Sequence, residues 1–518
     1  MKKKFYISAA AIAALALGLT SSSCTKDFDE INTNPDAYTT APATNMLGNA
    51  LYAMSDQWGD EKSRLADWSG YLVASYENET FSYLPSYNEF GNKWYTTYTQ
   101  NTQLKEILSR PESEVGKNMR NVATTLQQFM FFLTADCYGS IPYSEAGQAT
   151  EGNLYPKYDT DEEVYAGIEA KLKEVSDSWA EGLGSDGLGA GDLLYGGDVE
   201  MWQRFCNSLR LRLAMRLSNM SSHVAASQAT FKEILSDPKK YPVIETSAQN
   251  AYFNWEGSAS YREPWYDNFI SRPVDYVMSQ VFVDRLKSQD DPRLSAICRP
   301  AKNTGEYRGV LHGSNAQYNG EAIDNYSFPT ARYMAQDATE NANNPGFSPY
   351  FRAAETWFLI AEAGIKGWNI GSYTAKTAYE NGVKCSMTDN EVSDADASAY
   401  IAGKGKYLGS LAQVYLEEWV ALYKQCQEAW CLYRRTGYPT QLFDEVLYSD
   451  GGTAPQYPGQ HSAWGFGDSA RHNDLPWRFP YPENEYTYNS DNLAVAAEGI
   501  SDYCWGKRIC WAQDNGRH

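Results

Sequence analysis

The sequence has few of the residues that build metal centres and catalytic clusters. Its 518 residues include 5 histidines and 9 cysteines, and no HxH, HExxH or CxxC motif occurs. No GxSxG motif, nor any other nucleophile with an adjacent base, is recognisable. The sequence therefore predicts a protein without a cofactor, without a metal ion and without enzymatic activity.

Basic residues are also scarce relative to acidic ones. The chain carries 44 Lys and Arg against 65 Asp and Glu, a formal net charge of −21. Such a charge repels nucleic-acid phosphates, so no nucleic-acid partner is expected. Aromatic residues, in contrast, make up 14% of the chain, with 39 Tyr and 15 Trp. Because Tyr and Trp combine an apolar face with a hydrogen-bonding edge, this excess favours recognition of a polar organic ligand.

The first residues have the pattern of an export signal. Lys2 to Lys4 precede a mostly apolar stretch, Phe5 to Leu19, that is too short to span a bilayer comfortably. Ser23-Cys24 follows and resembles the cleavage site of a bacterial lipoprotein, in which Cys24 becomes the acylated first residue. The alternative is a plain secretory signal with an incidental cysteine. We predict a signal peptide at 1–23, a flexible tether at 24–41 and a single domain at 42–518.

Helical periodicity recurs along most of the domain and is interrupted by long aromatic loops. Four pairs of predicted helices have only a short connection between their members, as in helical repeats: 92–109 with 117–136, 160–180 with 198–219, 350–367 with 373–388, and 408–424 with 427–436. Three further helices are predicted at 42–57, 225–236 and 274–288. The loops at 58–91, 240–349 and 437–518 are long enough to be typical of functional segments.

Five short segments together resemble the SusD/RagB family of nutrient-binding outer-membrane lipoproteins, and their order along the chain matches the family as well. The segments are DCYGSIPYSEA at 136–146, WQRFCNSLRLR at 202–212, FLIAEA at 358–363, EAW at 428–430 with RRTGYP at 434–439, and RFPYP at 478–482. Cys137 and Cys206 stand where Leu or Ala is commoner, which puts no function in doubt.

The resemblance implies an all-α, SusD-like fold in which four tetratricopeptide-like helix pairs support a ligand face built from the long loops. It also implies a SusC-like TonB-dependent outer-membrane transporter as partner. The location implied is the outer membrane, with a lipid anchor at Cys24. The acidic run at 25–30 resembles the export tag of surface lipoproteins, so the body is expected to face the cell exterior.

Two long loops mix aromatic and polar side chains in the way expected of a ligand site. Rings offer flat apolar faces to a sugar or a peptide, and neighbouring amides and guanidinium groups satisfy hydroxyls or carboxylates. The alternative is that the rings only seal the loops onto the scaffold. If the second loop lies on the surface, replacing one of its rings should weaken binding and leave stability nearly unchanged. The candidate ligand-binding residues are Tyr76, Tyr83, Tyr87, Trp255, Tyr261, Arg262, Trp265, Tyr266 and Asn268.

Four other patterns have a chemical interpretation that we reject. The GxGxxG match at 182–187 follows a helix, so the strand of a dinucleotide site is missing. The run at 394–398 begins like a calcium loop but lacks its glycine and its final glutamate. Glu355 and Glu362 share a helix face, and we expect them to bind Arg434 or Arg435 instead of acting as an acid and base pair. Arg210, Arg212 and Arg216 are likewise expected to pair with acidic neighbours.

The function predicted from these observations is capture of a nutrient, an oligosaccharide in the first instance, and its delivery to the transporter without chemistry. An oligopeptide ligand is the alternative within the family. A surface glycoside hydrolase is the alternative from another class, because two carboxylates suffice for that reaction and the chain is rich in acids. A lid for the transporter with little affinity of its own is a third possibility.

Overall fold

Helices dominate the computed structural model, which describes residues 41–57, 65–73, 87–271, 273, 276–310, 322–440, 475–500 and 507–512. In chain order they are α1 (Ala43–Asp56), α2 (Ala66–Trp68), α3 (Tyr87–Ser109), α4 (Lys117–Tyr138), α5 (Asp161–Ala180), α6 (Val199–Leu217), α7 (Val224–Ser236), α8 (Pro264–Phe269), α9 (Gln280–Ser288), α10 (Arg293–Ile297), α11 (Ala338–Asn343), α12 (Ala353–Ile365), α13 (Ala375–Asp389), α14 (Asp394–Ala402), α15 (Leu411–Ala421), α16 (Cys426–Thr436), α17 (Glu483–Tyr488) and α18 (Ser490–Ala496).

The four predicted helix pairs are confirmed. They are α3 with α4, α5 with α6, α12 with α13, and α15 with α16, and the members of each pair pack against each other. Helix α12 also contacts α6 and α15, so it lies between the second and fourth pairs. Helix α6 has an apolar stripe at helical spacing, and its residues Trp202, Phe205 and Leu209 are fully inaccessible to solvent.

Among the described residues, four short strands form two small antiparallel sheets, which the sequence did not predict. Strand β1 (Leu72–Val73) pairs with β3 (Val277–Met278), and β2 (Ala251–Asn254) pairs with β4 (Phe347–Phe351). The helix predicted at 274–288 therefore begins only at Gln280, and the one predicted at 350–367 begins at Ala353. In both cases the first residues pair with a strand far away in the chain, which local periodicity does not reveal.

The long loop predicted at 240–349 contains several short helices that the sequence did not predict. Side chains that cap the first turn start them: Glu263 accepts from the backbone N–H of Tyr266 in α8, and Asp337 accepts from Thr339 in α11. Outside that loop, the run that begins like a calcium loop is the first turn of α14, capped by Ser393. Its aspartates therefore lie at a helix N-terminus, where negative charge is favourable.

The GxGxxG segment is a loop, as predicted. It follows α5 and precedes a 3-10 turn at Gly189–Gly191, so no strand flanks it. Asp186 from this loop accepts hydrogen bonds from the backbone N–H groups of Asn118 and Met119, at 3.0 and 2.9 Å. The segment thus caps the beginning of α4.

Buried ion pairs connect the four helix pairs. Arg212 of α6 binds Glu355 of α12 through two hydrogen bonds of 2.5 and 2.6 Å. Arg216 of α6 binds Glu428 of α16 at 2.5 Å, and its Nη2 atom lies 3.3 Å from the Asp136 carboxylate of α4. Because every helix pair supplies at least one member, these contacts fix the arrangement of the pairs.

The two candidate carboxylates of α12 are both engaged in this network. Glu362 accepts bidentate hydrogen bonds from Arg435 at 2.6 and 2.7 Å, as predicted. Glu355 binds Arg212 instead of Arg434 or Arg435, so that part of the prediction was wrong. Both carboxylates are at most 1% exposed. Neither is accessible to a substrate, which supports a structural role for the pair.

Candidate ligand-binding face

A tight turn after strand β2 carries Tyr261 to the surface. The turn begins at Gly257, whose φ of 72° lies in the left-handed region that favours glycine. Its backbone N–H donates to the Tyr261 carbonyl at 3.2 Å, and the Tyr261 N–H donates to the Ser258 carbonyl at 3.1 Å. Asn341 Nδ2 of α11 donates to the Gly257 carbonyl at 2.7 Å. The turn is therefore fixed in one conformation, with Tyr261 49% exposed.

The Tyr52 ring of α1 packs against the Tyr261 ring. The two ring centroids lie 5.5 Å apart in an edge-to-face arrangement, and the Trp255 ring centroid lies 5.7 Å from that of Tyr52. Burial and the nearby Asp56 carboxylate raise the pKa of Tyr52 above its ordinary value. Its hydroxyl is therefore protonated at neutral pH and able to donate a hydrogen bond.

Hydrogen bonds fasten the β2–β4 sheet to α1. Trp255 Nε1 donates to Ser348 Oγ at 2.9 Å, and Ser348 Oγ donates to the Ser55 carbonyl of α1 at 3.1 Å. These contacts are buried. The segment that carries Tyr261 is thus preorganised, which lowers the ordering cost of ligand binding.

A buried ion pair fixes the chain just after Tyr261, where α8 begins. The Glu263 carboxylate lies 3.0 Å from Lys424 Nζ, and the two side chains are 2% and 0% exposed. Lys424 Nζ also donates to the Tyr333 carbonyl at 2.7 Å. Desolvation lowers the pKa of Lys424, although Glu263 opposes this effect. The pair therefore anchors the start of α8 in the protein interior.

Trp265 and Tyr266 are buried, so the condition that this loop lies on the surface does not hold for these two rings. They are 0% and 6% exposed. Trp265 packs edge-on against Tyr423, with ring centroids 6.1 Å apart, and its ring centroid lies 4.9 Å from Lys424 Nζ. These rings seal α8 onto the scaffold because an apolar ring is most stable away from water. In this conformation they offer no face to a ligand.

Exposed polar side chains lie close to Tyr261 in the chain. Asn254, Glu256 and Asp267 are exposed, and Arg262 is partly exposed. Arg262 Nη1 donates to Asp267 Oδ1 at 3.1 Å. We call this surface the Tyr261 face and define it by Tyr52, Asn254, Glu256, Tyr261, Arg262 and Asp267. An exposed aromatic ring can stack on the C–H face of a sugar, and amide, carboxylate and guanidinium groups of the same segment can bind its hydroxyls.

The structure brings together only some of the predicted site residues. Tyr261 and Arg262 lie on the face, Trp255 is buried beneath it, and Asn268 is partly exposed with Nδ2 donating to the Pro264 carbonyl. Tyr76, Tyr83 and the proposed lipidation site, Cys24, lie outside the described residues, as does the side chain of Tyr87, which begins α3.

Sequence reasoning missed Tyr52, because it lies in the helix predicted at 42–57 and the candidate residues were taken from the long loops. The sequence of α1 nevertheless contains a pattern that could have identified Tyr52. Asn49, Tyr52 and Asp56 recur at helical spacing on the side of α1 away from its buried residues, and Asn49 and Asp56 are exposed. An aromatic residue on the polar side of an amphipathic helix is a candidate contact residue.

Within the described residues, one group of acids and a thiol has the spacing of metal ligands. Asp136, Glu428 and Cys431 place their ligand atoms within 4.8 Å of one another. The Arg216 guanidinium lies against both carboxylates, at 3.3 and 2.5 Å. It neutralises the charge that a cation would need, so this group does not fit a metal ion.

These features define an α-helical binding protein whose loops carry an aromatic and polar face. A family model described as "Starch-binding associating with outer membrane" (SusD-like) matches residues 35–455, and one described as "Susd and RagB outer membrane lipoprotein" matches residues 408–511. The chain therefore belongs to the SusD/RagB family of outer-membrane lipoproteins. A comparison with curated proteins gives no significant match. In the part of the chain that the structure describes, no helix is both long and apolar enough to cross a bilayer.

Solved structures share the fold. A SusD-like protein from Bacteroides thetaiotaomicron is 23% identical with a TM-score of 0.72, and the match covers 92% of this chain and 100% of that one. A chitin-binding SusD homologue from Flavobacterium johnsoniae is 22% identical with a TM-score of 0.70, covering 90% and 97%. The predicted SusD-like, tetratricopeptide-like helical fold is confirmed.

Proposed function

We propose that this protein captures an oligosaccharide at the cell surface and delivers it to a SusC-like TonB-dependent transporter. The observation that carries the proposal is the Tyr261 face, in which an exposed ring is held on a fixed turn among polar side chains. The family description as starch-binding and the chitin-binding structural relative support a saccharide over a peptide. The ligand is expected to leave chemically unchanged, because the carboxylates we considered as catalytic are buried in ion pairs.

Affinity should be modest. Binding of about 4 to 8 kcal/mol, micromolar to millimolar, suffices for capture and allows release to a channel. A screen of the protein against glycans and peptides identifies the ligand class. Binding of peptides alone would contradict the proposal, as would saccharide cleavage that a carboxylate substitution abolishes.

Replacing Tyr261 by Ala should weaken saccharide binding by about 1 to 3 kcal/mol, roughly 5- to 150-fold, because one stacking face is lost. The stability should change by less than about 0.5 kcal/mol, since the ring is half exposed. Calorimetric titration and urea denaturation measure the two quantities. Tyr155→Ala is the matched control, because Tyr155 is 62% exposed and belongs to a different loop. Equal affinity of all three proteins would remove Tyr261 from the site.

We also propose that acyl chains on Cys24 anchor the protein at the outer membrane, facing the exterior. The family description as an outer-membrane lipoprotein supports this anchor. Cys24→Ala should move the protein from the membrane fraction to the soluble fraction in cells that lack the transporter, because the acyl chains supply the membrane affinity. Retention of the variant in the membrane fraction would contradict the assignment, and protease accessibility in intact cells tests the orientation.

A further inference from the structure

Helices α13 and α14 border a basic cleft, although the chain as a whole has a formal net charge of −21. Lys376 and Lys384 of α13 and Lys406 from the segment after α14 line this cleft, and Glu380 is its one acidic lining residue. Its volume is about 560 Å³. Sites for small ligands have volumes of about 300 to 1,000 Å³, so the cleft is of ligand size.

The lysines of α13 point to the cleft because of their spacing. Lys376, Glu380 and Lys384 recur every four residues, which places them on one side of the helix. Lys376 and Lys384 are separated by about 12 Å along the helix axis, at 1.5 Å per residue. Lys406 lines the same cleft from outside α13. The three lysines therefore line one cleft from two segments of the chain.

The positive charge of the cleft is largely uncompensated by the described residues. Neither Lys384 nor Lys406 forms an ion pair or an ammonium hydrogen bond with any described side chain or carbonyl. Lys376 lies 3.8 Å from Glu380, and its side chain is 63% exposed, so that contact is weak. Like charges placed close together create a local positive potential that attracts an anion.

The remaining lining has the character of a saccharide site. The Tyr407 ring packs against Tyr379 with centroids 5.4 Å apart, and the Tyr379 hydroxyl donates to the Gly405 carbonyl at 2.9 Å. These contacts hold the Tyr407 ring in place on one wall. Asn381 and Ser398 add an amide and a hydroxyl. A fixed ring with polar groups and ammonium groups matches a sugar that carries a carboxylate.

We propose that this cleft is a second ligand site, which takes a carboxylate-bearing saccharide such as an oligomer of hexuronate. It shares no residue with the Tyr261 face. The choice of a saccharide over an acidic peptide rests on the proposed glycan-binding function as well as on the Tyr407 ring. The presence of the basic cleft does not depend on that function.

Calorimetric titration with trigalacturonate tests the proposal. The double variant Lys384→Gln/Lys406→Gln should bind trigalacturonate about ten-fold more weakly than the wild type, because two ammonium groups are lost. The control Lys171→Gln/Lys302→Gln makes the same change of charge at exposed lysines elsewhere and should stay within about two-fold. Melting temperatures of both variants confirm that they fold.

Several results would overturn the assignment. The first is that the wild type does not bind trigalacturonate at about 10 mM. The second is that the control variant loses as much affinity as the double variant. The third is that the wild type binds a glutamate tripeptide as tightly as trigalacturonate. Binding of the peptide alone would make the cleft a peptide site. The proposed function is tested separately, by titrating a neutral oligosaccharide into Tyr261→Ala, so failure of one proposal is distinguishable from failure of the other.

Discussion

Replacing Glu362 by Gln should lower the free energy of unfolding by about 3 kcal/mol at pH 7. Burial alone would raise the pKa of Glu362, but Arg435 and Lys366 outweigh burial and lower it from 4.5 to about 2. A carboxyl with a lower pKa in the folded state stabilises the fold at pH values above its unfolded pKa. The difference between 4.5 and about 2 corresponds to about 3 kcal/mol. The variant also leaves the Arg435 guanidinium buried without its charged partner.

The lowered pKa of Glu362 also makes its contribution to stability depend on pH. The contribution of Glu362 is fully present above pH 4.5 and is lost as the pH falls toward 2, because in this range the unfolded chain binds the proton and the folded protein does not. Urea denaturation of wild type and variant between pH 7 and pH 3 should show their difference shrinking below pH 4.5. Glu174→Gln is the control: its carboxylate is 70% exposed and pairs with Lys171, and we expect a loss below about 0.5 kcal/mol. A difference that is independent of pH would contradict this account of the ion pair.

Replacing Trp265 by Ala should lower the free energy of unfolding by about 3 to 5 kcal/mol, because it removes a fully buried ring. The cavity would lie against Tyr423 and Lys424, which pack on that ring. The Glu263–Lys424 pair is adjacent, so α8 should also become less ordered. Urea denaturation at pH 7 measures the loss.

Tyr261→Ala is the matched comparison for Trp265→Ala, because both remove one ring from the same segment. The structure predicts opposite results, a stability loss for Trp265 and an affinity loss for Tyr261. If Trp265→Ala kept its stability and lost saccharide affinity, the ring would be a contact residue, and the segment would adopt another conformation when ligand binds.

Much of the scaffold could be predicted from sequence because its signals are local. The stripe that begins at Trp202 repeats with helical spacing, and the segment that contains Arg434 and Arg435 matches a family motif. Such patterns predict which helices exist and which of their sides are buried. The ion pair between Glu362 and Arg435 was predicted for the same reason, since an acidic side chain on a buried helix face needs a basic partner.

The site was harder to predict because it depends on contacts between distant segments. Trp265 is buried because Lys424 and Tyr423 lie against it, and Tyr261 is presented because Gly257 and Asn341 fix its turn. A loop rich in rings has the same composition whether the rings face inward or outward. The composition of the sequence therefore indicates which loop is a candidate ligand site. Tertiary packing determines which aromatic rings of that loop are exposed to a ligand.

The most direct test of the Tyr261 face is a crystal structure of the protein with the saccharide identified by the binding screen. The account predicts a sugar ring over Tyr261, with its carbon atoms within about 4 Å of the aromatic ring. Its hydroxyls should contact polar side chains of the face such as Asn254, Arg262 or Asp267. A saccharide bound elsewhere, with Tyr261 still exposed to solvent, would contradict the central claim.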